Sequence, residues 1–193
     1  MYLFTGSPFP GPPYPSPLAQ SARNPPRMTP LTQAQAEDIP AIAGLLVRTW
    51  QRCYRGILPD PLLDALSVDH QAHRHRQYLA KGIPYFLARH QAGPLLGFAS
   101  FGPAREPAMG SASELYTLYV DMDHQRKGIG LALLQAVERA AQAQSPALAV
   151  SVLKKNPYRA FYEKNAFQTV AELPLDLGAW QETSLILRKE FSP

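Results

Sequence analysis

From Met28 onward, apolar positions recur in blocks whose period changes along the chain. Ile39, Ile42, Leu45, Leu46 and Trp50 repeat at helical spacing, and Asp38-Ile39-Pro40 supplies a cap with proline in the first turn. Ser67 predicts the start of a second helix that runs through His70 to about Lys81. Residues 85–90 and 95–102 read as strands joined at Gln91-Ala92-Gly93-Pro94, which predicts a hairpin. Residues 114–120 form a β-rich segment, and 128–144 a helix with Leu131, Leu134, Ala136, Val137 and Ala141 on its apolar side. Residues 147–153 have the continuous apolar character of a buried strand, and 157–165 predict a short helix started by proline. Strands over 167–172 and 181–190 close the chain. The predicted order is β-α-α-β-β-β-α-β-α-β-β, an α/β (α+β) fold with a mixed sheet and helices on its faces. No internal repeat appears, and no linker divides the body.

The first 27 residues stand outside this pattern. They hold eight of the chain's 20 prolines, which fix φ and remove donors, so an extended or disordered tail is expected before one domain over 28–193. A docking tail and an unstructured leader both fit that composition. The single cysteine, Cys53, excludes an intramolecular disulfide, and a body of this length buries a core without one. No apolar run approaches the ~18–20 residues that span a bilayer. The N-terminus also lacks the charged start and apolar stretch of a secretory signal, so a cytoplasmic protein with no membrane partner is expected. The net charge of +4 invites a nucleic-acid partner, but Arg23 and Arg27 of the tail carry half of that excess. The body holds 17 basic and 15 acidic residues, scattered along it, and no nucleic-acid partner is expected. Mild basicity suits an anionic cofactor equally well.

The chemistry lies in a strand, a loop and a helix start. Leu115-Tyr116-Thr117-Leu118-Tyr119-Val120 leads through Asp121-Met122-Asp123-His124 into Gln125-Arg126-Lys127-Gly128-Ile129-Gly130-Leu131. Glycines at a helix start let backbone approach a bulky anion, and first-turn N–H groups lacking helical partners point at it with the dipole behind them. Arg126 and Lys127 add mobile positive charge. This is pyrophosphate-binding chemistry. A Walker loop is excluded because Gly130-Leu131-Ala132 stands where Gly-Lys-Ser/Thr is required. A dinucleotide fingerprint is excluded because Leu133 occupies the place of its third glycine.

What remains, Gln125-x-x-Gly128-x-Gly130 after a strand ending Val120-Asp121, resembles the acetyl-CoA loop of the GNAT N-acetyltransferase superfamily. The run from Asn156-Pro157-Tyr158-Arg159-Ala160-Phe161-Tyr162 to Glu163-Lys164-Asn165-Ala166-Phe167 is similar to the family's Asn-x-x-Ala-x-x-x-Tyr-x-x-x-Gly-Phe segment. It follows at the usual interval, with one helix and one strand between. Two departures stand out: Tyr162 lies two places after Ala160, and Ala166 replaces the glycine, a change expected to tighten the next turn. The helix from Asp38 and the Trp50…Tyr54-Arg55-Gly56 run also look like the opening of a GNAT subgroup, so the resemblance spans about residues 28–190.

The resemblance implies the acyl-CoA N-acyltransferase fold, a mixed and mostly antiparallel sheet whose middle strands splay. It implies acetyl transfer from acetyl-CoA to a primary amine by direct attack in a ternary complex, with no metal and no enzyme nucleophile. Backbone of Leu118, Tyr119 and Val120 would meet the pantetheine arm as an added strand. Gln125, Arg126, Lys127, Gly128, Ile129, Gly130 and Leu131 would hold the pyrophosphate, with Asn156 and Arg159 flanking the arm and nucleotide end. Tyr162 matches the tyrosine that protonates the departing thiolate. Glu114 stands where several relatives keep a carboxylate base, acting directly or through water, and Ser151 lies near the splay on the neighbouring strand. The plain alternatives are a packing tyrosine and an exposed strand-end acid. Trp50 and Tyr54, at i and i+4 on one helix face, either line the acceptor pocket or pack the core.

His70, His73 and His75 make no ligand set, since His75 leaves the face shared by the other two and no partner cysteine is near. His124 caps or solvates the cofactor loop. The acceptor stays open between a small-molecule amine and a peptide N-terminus, and a homodimer is compatible with either. A noncatalytic acyl-CoA-binding module is the alternative from another class.

Overall fold

The computed structural model describes residues 30–91, 93–178 and 180–192, so the expected proline-rich tail lies outside the described residues. Among these, seven strands form one sheet: β1 (Thr32–Gln33), β2 (Tyr85–Arg89), β3 (Leu95–Pro103), β4 (Ser113–Val120), β5 (Ala147–Leu153), β6 (Gln168–Asp176) and β7 (Gln181–Glu190). Their spatial order is β1-β2-β3-β4-β5-β7-β6, and every neighbouring pair is antiparallel except β4 with β5. The helices are α1 (Ile39–Cys53), α2 (Asp60–Asp64), α3 (Val68–Ala80), α4 (Ile129–Gln142) and α5 (Arg159–Lys164).

The residues whose spacing predicts α1 are all buried in it. Its cap differs from expectation. Asp38 makes no side-chain bond to α1; its carboxylate accepts from the Gln35 N–H at 2.8 Å and pairs with Arg89. A 3-10 turn at Ala36–Asp38 precedes the helix, so the capping box moves one turn upstream. Ser67 does cap α3, its Oγ accepting from the His70 N–H at 3.3 Å. The short α2 was not expected, because five residues carry no readable period. Leu131, expected on the apolar side of α4, is 41% exposed. It stands two residues from both Ile129 and Leu133, hence about 200° round the helix from each. Likewise α5 begins at Arg159 and not at Pro157, because Asn156 Oδ1 accepts from the Tyr158 N–H at 2.8 Å and folds an Asx turn before it.

α1 and α3 cover one face of the sheet over Tyr85, Leu87, Phe98 and Tyr119, while α4 and α5 cover the other over Ala88, Ala99, Leu115 and Val150. A Cβ on Gly97 would lie 2.8 Å from the Tyr119 carbonyl oxygen and 3.1–3.2 Å from Leu133 and Ile129. Only glycine lets α4 lie this close to β3.

The register of β3 with β4 skips Tyr116, pairing Ser100 with Thr117 and Phe101 with Leu115. This bulge exchanges the faces of the strand. Leu115, Leu118 and Val120 pack toward α4, whereas Tyr119 packs toward α1 and Thr117 bonds Ser100 on that side. β4 pairs with β5 only at Ser113–Leu148 and Glu114–Ala149. Beyond that point the ladder ends and the two strands part.

Candidate active site

At the far end of the splay the chain turns from β4 into α4. Arg126 and Gly128 adopt left-handed backbone at φ +57 and +83, which bends the loop in the manner of anion-binding concavities. No atom lies within 4 Å of a Cβ placed on Gly128, so the helix start is open to a ligand. α4 is 14 residues long and begins at Ile129, which leaves the first-turn N–H groups without helical carbonyls. Lys127 Nζ donates to the Asp123 carbonyl at 2.9 Å, and both it and Arg126 are exposed. Leu131, by its exposure, flanks this start from the solvent side. These residues fit a pyrophosphate.

Across the splay, the head of α5 meets the same loop. The Tyr158 hydroxyl donates to Gln125 Oε1 at 2.5 Å, and burial pushes the Tyr158 phenol up to about 12. Asn156 is buried, with its side-chain oxygen used in the Asx turn. Arg159 is half-exposed and pairs with Glu163 at 2.8 Å. Tyr158 lies in the Asn156–Phe167 segment, and its partner Gln125, 33 residues away, is set by packing alone.

Aromatic side chains pack on both faces of the sheet, Trp50, Tyr54 and Tyr119 on the α1 side and Tyr162 on the α4 side. Trp50 and Tyr54 are fully buried with ring centroids 4.8 Å apart, and the Trp50 indole N–H donates to the Tyr119 hydroxyl at 2.8 Å. Cys53 Sγ lies 3.5 Å from Met122 Sδ. Tyr162 is buried, with its ring edge-on to Phe161 and Phe167 at 5.3 and 5.7 Å. Burial raises the pKa of Tyr54 and Tyr119 well above the usual phenol range.

Glu114 is not the exposed strand-end acid that one sequence alternative offered. It is 2% exposed and held by Arg105 through three bonds: Nε to Oε2 at 2.8 Å, Nη2 to Oε1 at 2.5 Å and the backbone N–H to Oε2 at 3.0 Å. The Arg105 guanidinium also lies 4.1 Å over the Tyr116 ring. Burial lowers its pKa, and Glu114 with Tyr78 and Tyr116 together more than offset this, so the guanidinium stays charged. Arg105 has no sequence signal, because it lies in an aperiodic loop after β3. A cleft of about 290 Å³ opens beside the pair, lined by Glu114, Tyr116, Ser151, Leu173, Leu175 and Ser184. The bulge at Tyr116 and the short β4–β5 ladder thus place Glu114 and Ser151 on one opening.

Behind it, a hollow of about 20 Å³ is lined by Trp50, Arg74, His75, Tyr85 and Thr117, with room for about one water. His75 Nδ1 lies 2.7 Å from the Tyr85 hydroxyl, and burial with Arg74 nearby lowers the imidazole pKa to about 4. His70 and His73 are exposed, apart from it. Among the described residues no group of three or more His, Cys, Asp or Glu is placed to hold a metal, and no helix is long and apolar enough to cross a membrane.

The family model for the acetyltransferase (GNAT) domain matches residues 59–176. The chain is 34% identical over 146 residues to the uncharacterized N-acetyltransferase YuaI of Bacillus subtilis, covering 75% of this chain and 83% of that protein. Over 74 residues it is 34% identical to the L-methionine sulfoximine/L-methionine sulfone acetyltransferase of Pseudomonas aeruginosa, covering 38% of this chain and 43% of that protein. The structure of PaiA N-acetyltransferase from Thermoplasma acidophilum in complex with coenzyme A shares the fold, with a TM-score of 0.65 at 18% identity over 84% of this chain and 100% of that one. With a match to more than half of its length and a glycine loop and splayed sheet to suit, the chain belongs to the GNAT family of acetyl-CoA-dependent N-acetyltransferases.

Proposed function

We propose that the protein transfers the acetyl group of acetyl-CoA to a primary amine by direct attack within a ternary complex. The observation that carries this is the coincidence of two features: the β4–β5 ladder ends at Glu114–Ala149, and the 290 Å³ cleft opens on those same strands. The thioester supplies an activated carbonyl carbon. Residues Gln125 to Leu131 hold its pyrophosphate, Leu118, Tyr119 and Val120 line the arm, and Asn156 and Arg159 stand at the head of α5 beside it. Tyr162 protonates the departing thiolate.

Arg105 occupies three of the four lone-pair positions on Glu114. The one left, on Oε1, takes the ammonium proton through a water in the cleft, which Ser151 helps to hold. With Glu114 neutralised by Arg105, Glu106 beside Leu173 and Leu175 suits a cation on a short apolar chain, either a small-molecule amine or a peptide N-terminus. Cytoplasmic action fits a chain whose single, buried cysteine asks for no oxidising compartment.

Thiol release from acetyl-CoA, measured with a panel of amines that includes amino-acid analogues and peptide N-termini, tests the proposal. Release above simple hydrolysis with at least one class is expected. Stabilisation by acetyl-CoA with no release from any amine would instead return the protein to a noncatalytic acyl-CoA-binding module.

A further inference from the structure

The cleft onto which Glu114 and Ser151 open carries an uncompensated charge. Its charged lining consists of Arg105, Glu106 and Glu114. Arg105 and Glu114 hold each other, while the half-buried Glu106 carboxylate has no ion-pair or hydrogen-bond partner among the described residues. The position of Glu106 is fixed. Its carbonyl accepts from the Met109 N–H at 3.0 Å, and Met109 packs with Ala147, Ala149 and Ile186. Ala149 belongs to the last pair of the β4–β5 ladder, so Glu106 enters the cleft from the paired end. Ser151 lies two residues further along β5, where the strands have parted. Leu148, Val150 and Val152 pack toward α4, so alternation turns Ser151 to the opposite face. Leu173 packs with the Met109 cluster and Leu175 with that of Leu153, which gives the cleft an apolar wall from its paired end to its splayed end.

We propose that the acceptor is a small diamine, one nitrogen attacking at the splay while the other, still an ammonium, pairs with Glu106. The proposal rests on the acetyl-transfer reading above. Two nitrogens are needed because the two places demand opposite protonation states. The attacking nitrogen must be neutral, whereas a nitrogen beside an uncompensated carboxylate keeps its proton. The neutral nitrogen bonds to the thioester carbon, and its proton passes to the water at Glu114. The C–S bond breaks, and sulfur leaves with its electron pair and takes a proton from Tyr162. Leu173 and Leu175 cover the methylenes between the two nitrogens. An acceptor bearing a carboxylate would instead meet Glu106 with like charge. Arg105, the only cation lining the cleft among the described residues, is already committed to Glu114.

Putrescine, pentylamine and δ-aminovalerate test this, because they carry an ammonium, a methyl group and a carboxylate on the same aminobutyl chain. Corrected for its two equivalent ends, putrescine should exceed pentylamine in kcat/KM by about three- to tenfold, between the worth of an exposed ion pair and that of a buried charged hydrogen bond. Aminovalerate should fall below both. Glu106→Gln should bring the putrescine-to-pentylamine ratio close to one, and Glu106→Asp should keep part of the preference. Equal kcat/KM for the two amines in the wild type would overturn the proposal and leave the transferase reading standing. A preference that survives Glu106→Gln would do the same. If no amine is acetylated, the transferase reading fails by itself. Calorimetric titration of putrescine into the wild type and Glu106→Gln, each with CoA bound, then decides the ammonium site. Weaker binding to the variant supports it, and equal binding or none overturns it.

Discussion

The Trp50 indole N–H and the Tyr119 hydroxyl form a buried 2.8 Å hydrogen bond that ties the end of α1 to β4 across 69 residues of sequence. It fixes the helix end that carries Tyr54 against the strand facing the splay. Tyr119→Phe removes the acceptor and should cost about 1–3 kcal/mol in denaturant unfolding, the penalty of an indole N–H left buried. Trp50→Phe combined with it should cost less than the sum of the single changes by at least about 0.5 kcal/mol. Additive losses would show that the bond contributes nothing.

The glycine loop is tested at Gly128. Acetyl-CoA should raise the wild-type melting temperature by simple linkage. Gly128→Asp and Gly128→Asn share the cost of placing a side chain at φ +83, but only the first sets a negative charge against the pyrophosphate. The Asp variant should lose the acetyl-CoA shift and the Asn variant keep part of it. A full shift in the Asp variant would place the pyrophosphate elsewhere.

Tyr162→Phe separates acid catalysis from packing. The buried ring keeps its contacts with Phe161 and Phe167, so acetyl-CoA binding and melting temperature should barely move. kcat should fall by up to ~10²–10⁴-fold, with kcat/KM falling equally. Unchanged kcat in a chemistry-limited assay would leave Tyr162 with packing alone.

Ala166 stands where the family has glycine, and its backbone is left-handed at φ +67. That conformation costs a residue with a Cβ about 1–2 kcal/mol, against about 0.4–1 kcal/mol for glycine's extra freedom when unfolded. Ala166→Gly should therefore stabilise by roughly 0.5–1 kcal/mol, about 1–4 °C in Tm. A lower Tm would mean the turn is not strained.

His75 sets a pH dependence. Its pKa falls from 6.5 unfolded to about 4 folded, so between these values the unfolded chain binds the extra proton. Its contribution is complete above pH 6.5 and lost progressively as pH drops to about 4, by up to about 3 kcal/mol. His75→Asn should flatten denaturant stability across that window. An unchanged slope would assign the acid sensitivity to other groups.

Much of this was legible without coordinates. The period of α1, the Ser67 cap and the bounds of β5 came from neighbours within a turn or two of each other, where local sterics and burial decide conformation. The pyrophosphate loop was legible because its parts are contiguous, from Gln125 to Gly130. The sequence also placed Glu114 on the central strand and Tyr162 on the helix after β5. It could not supply the state of either side chain. Arg105 reaches Glu114 from an aperiodic loop, and the bulge at Tyr116 decides which face of β4 each residue takes. The bond from Trp50 to Tyr119 and the unpartnered hydroxyl of Tyr54 exist only once α1 is packed on the sheet. Backbone preference is a local property that a short segment carries with it, whereas the partner of a buried polar atom is fixed by register and packing between elements far apart in the chain.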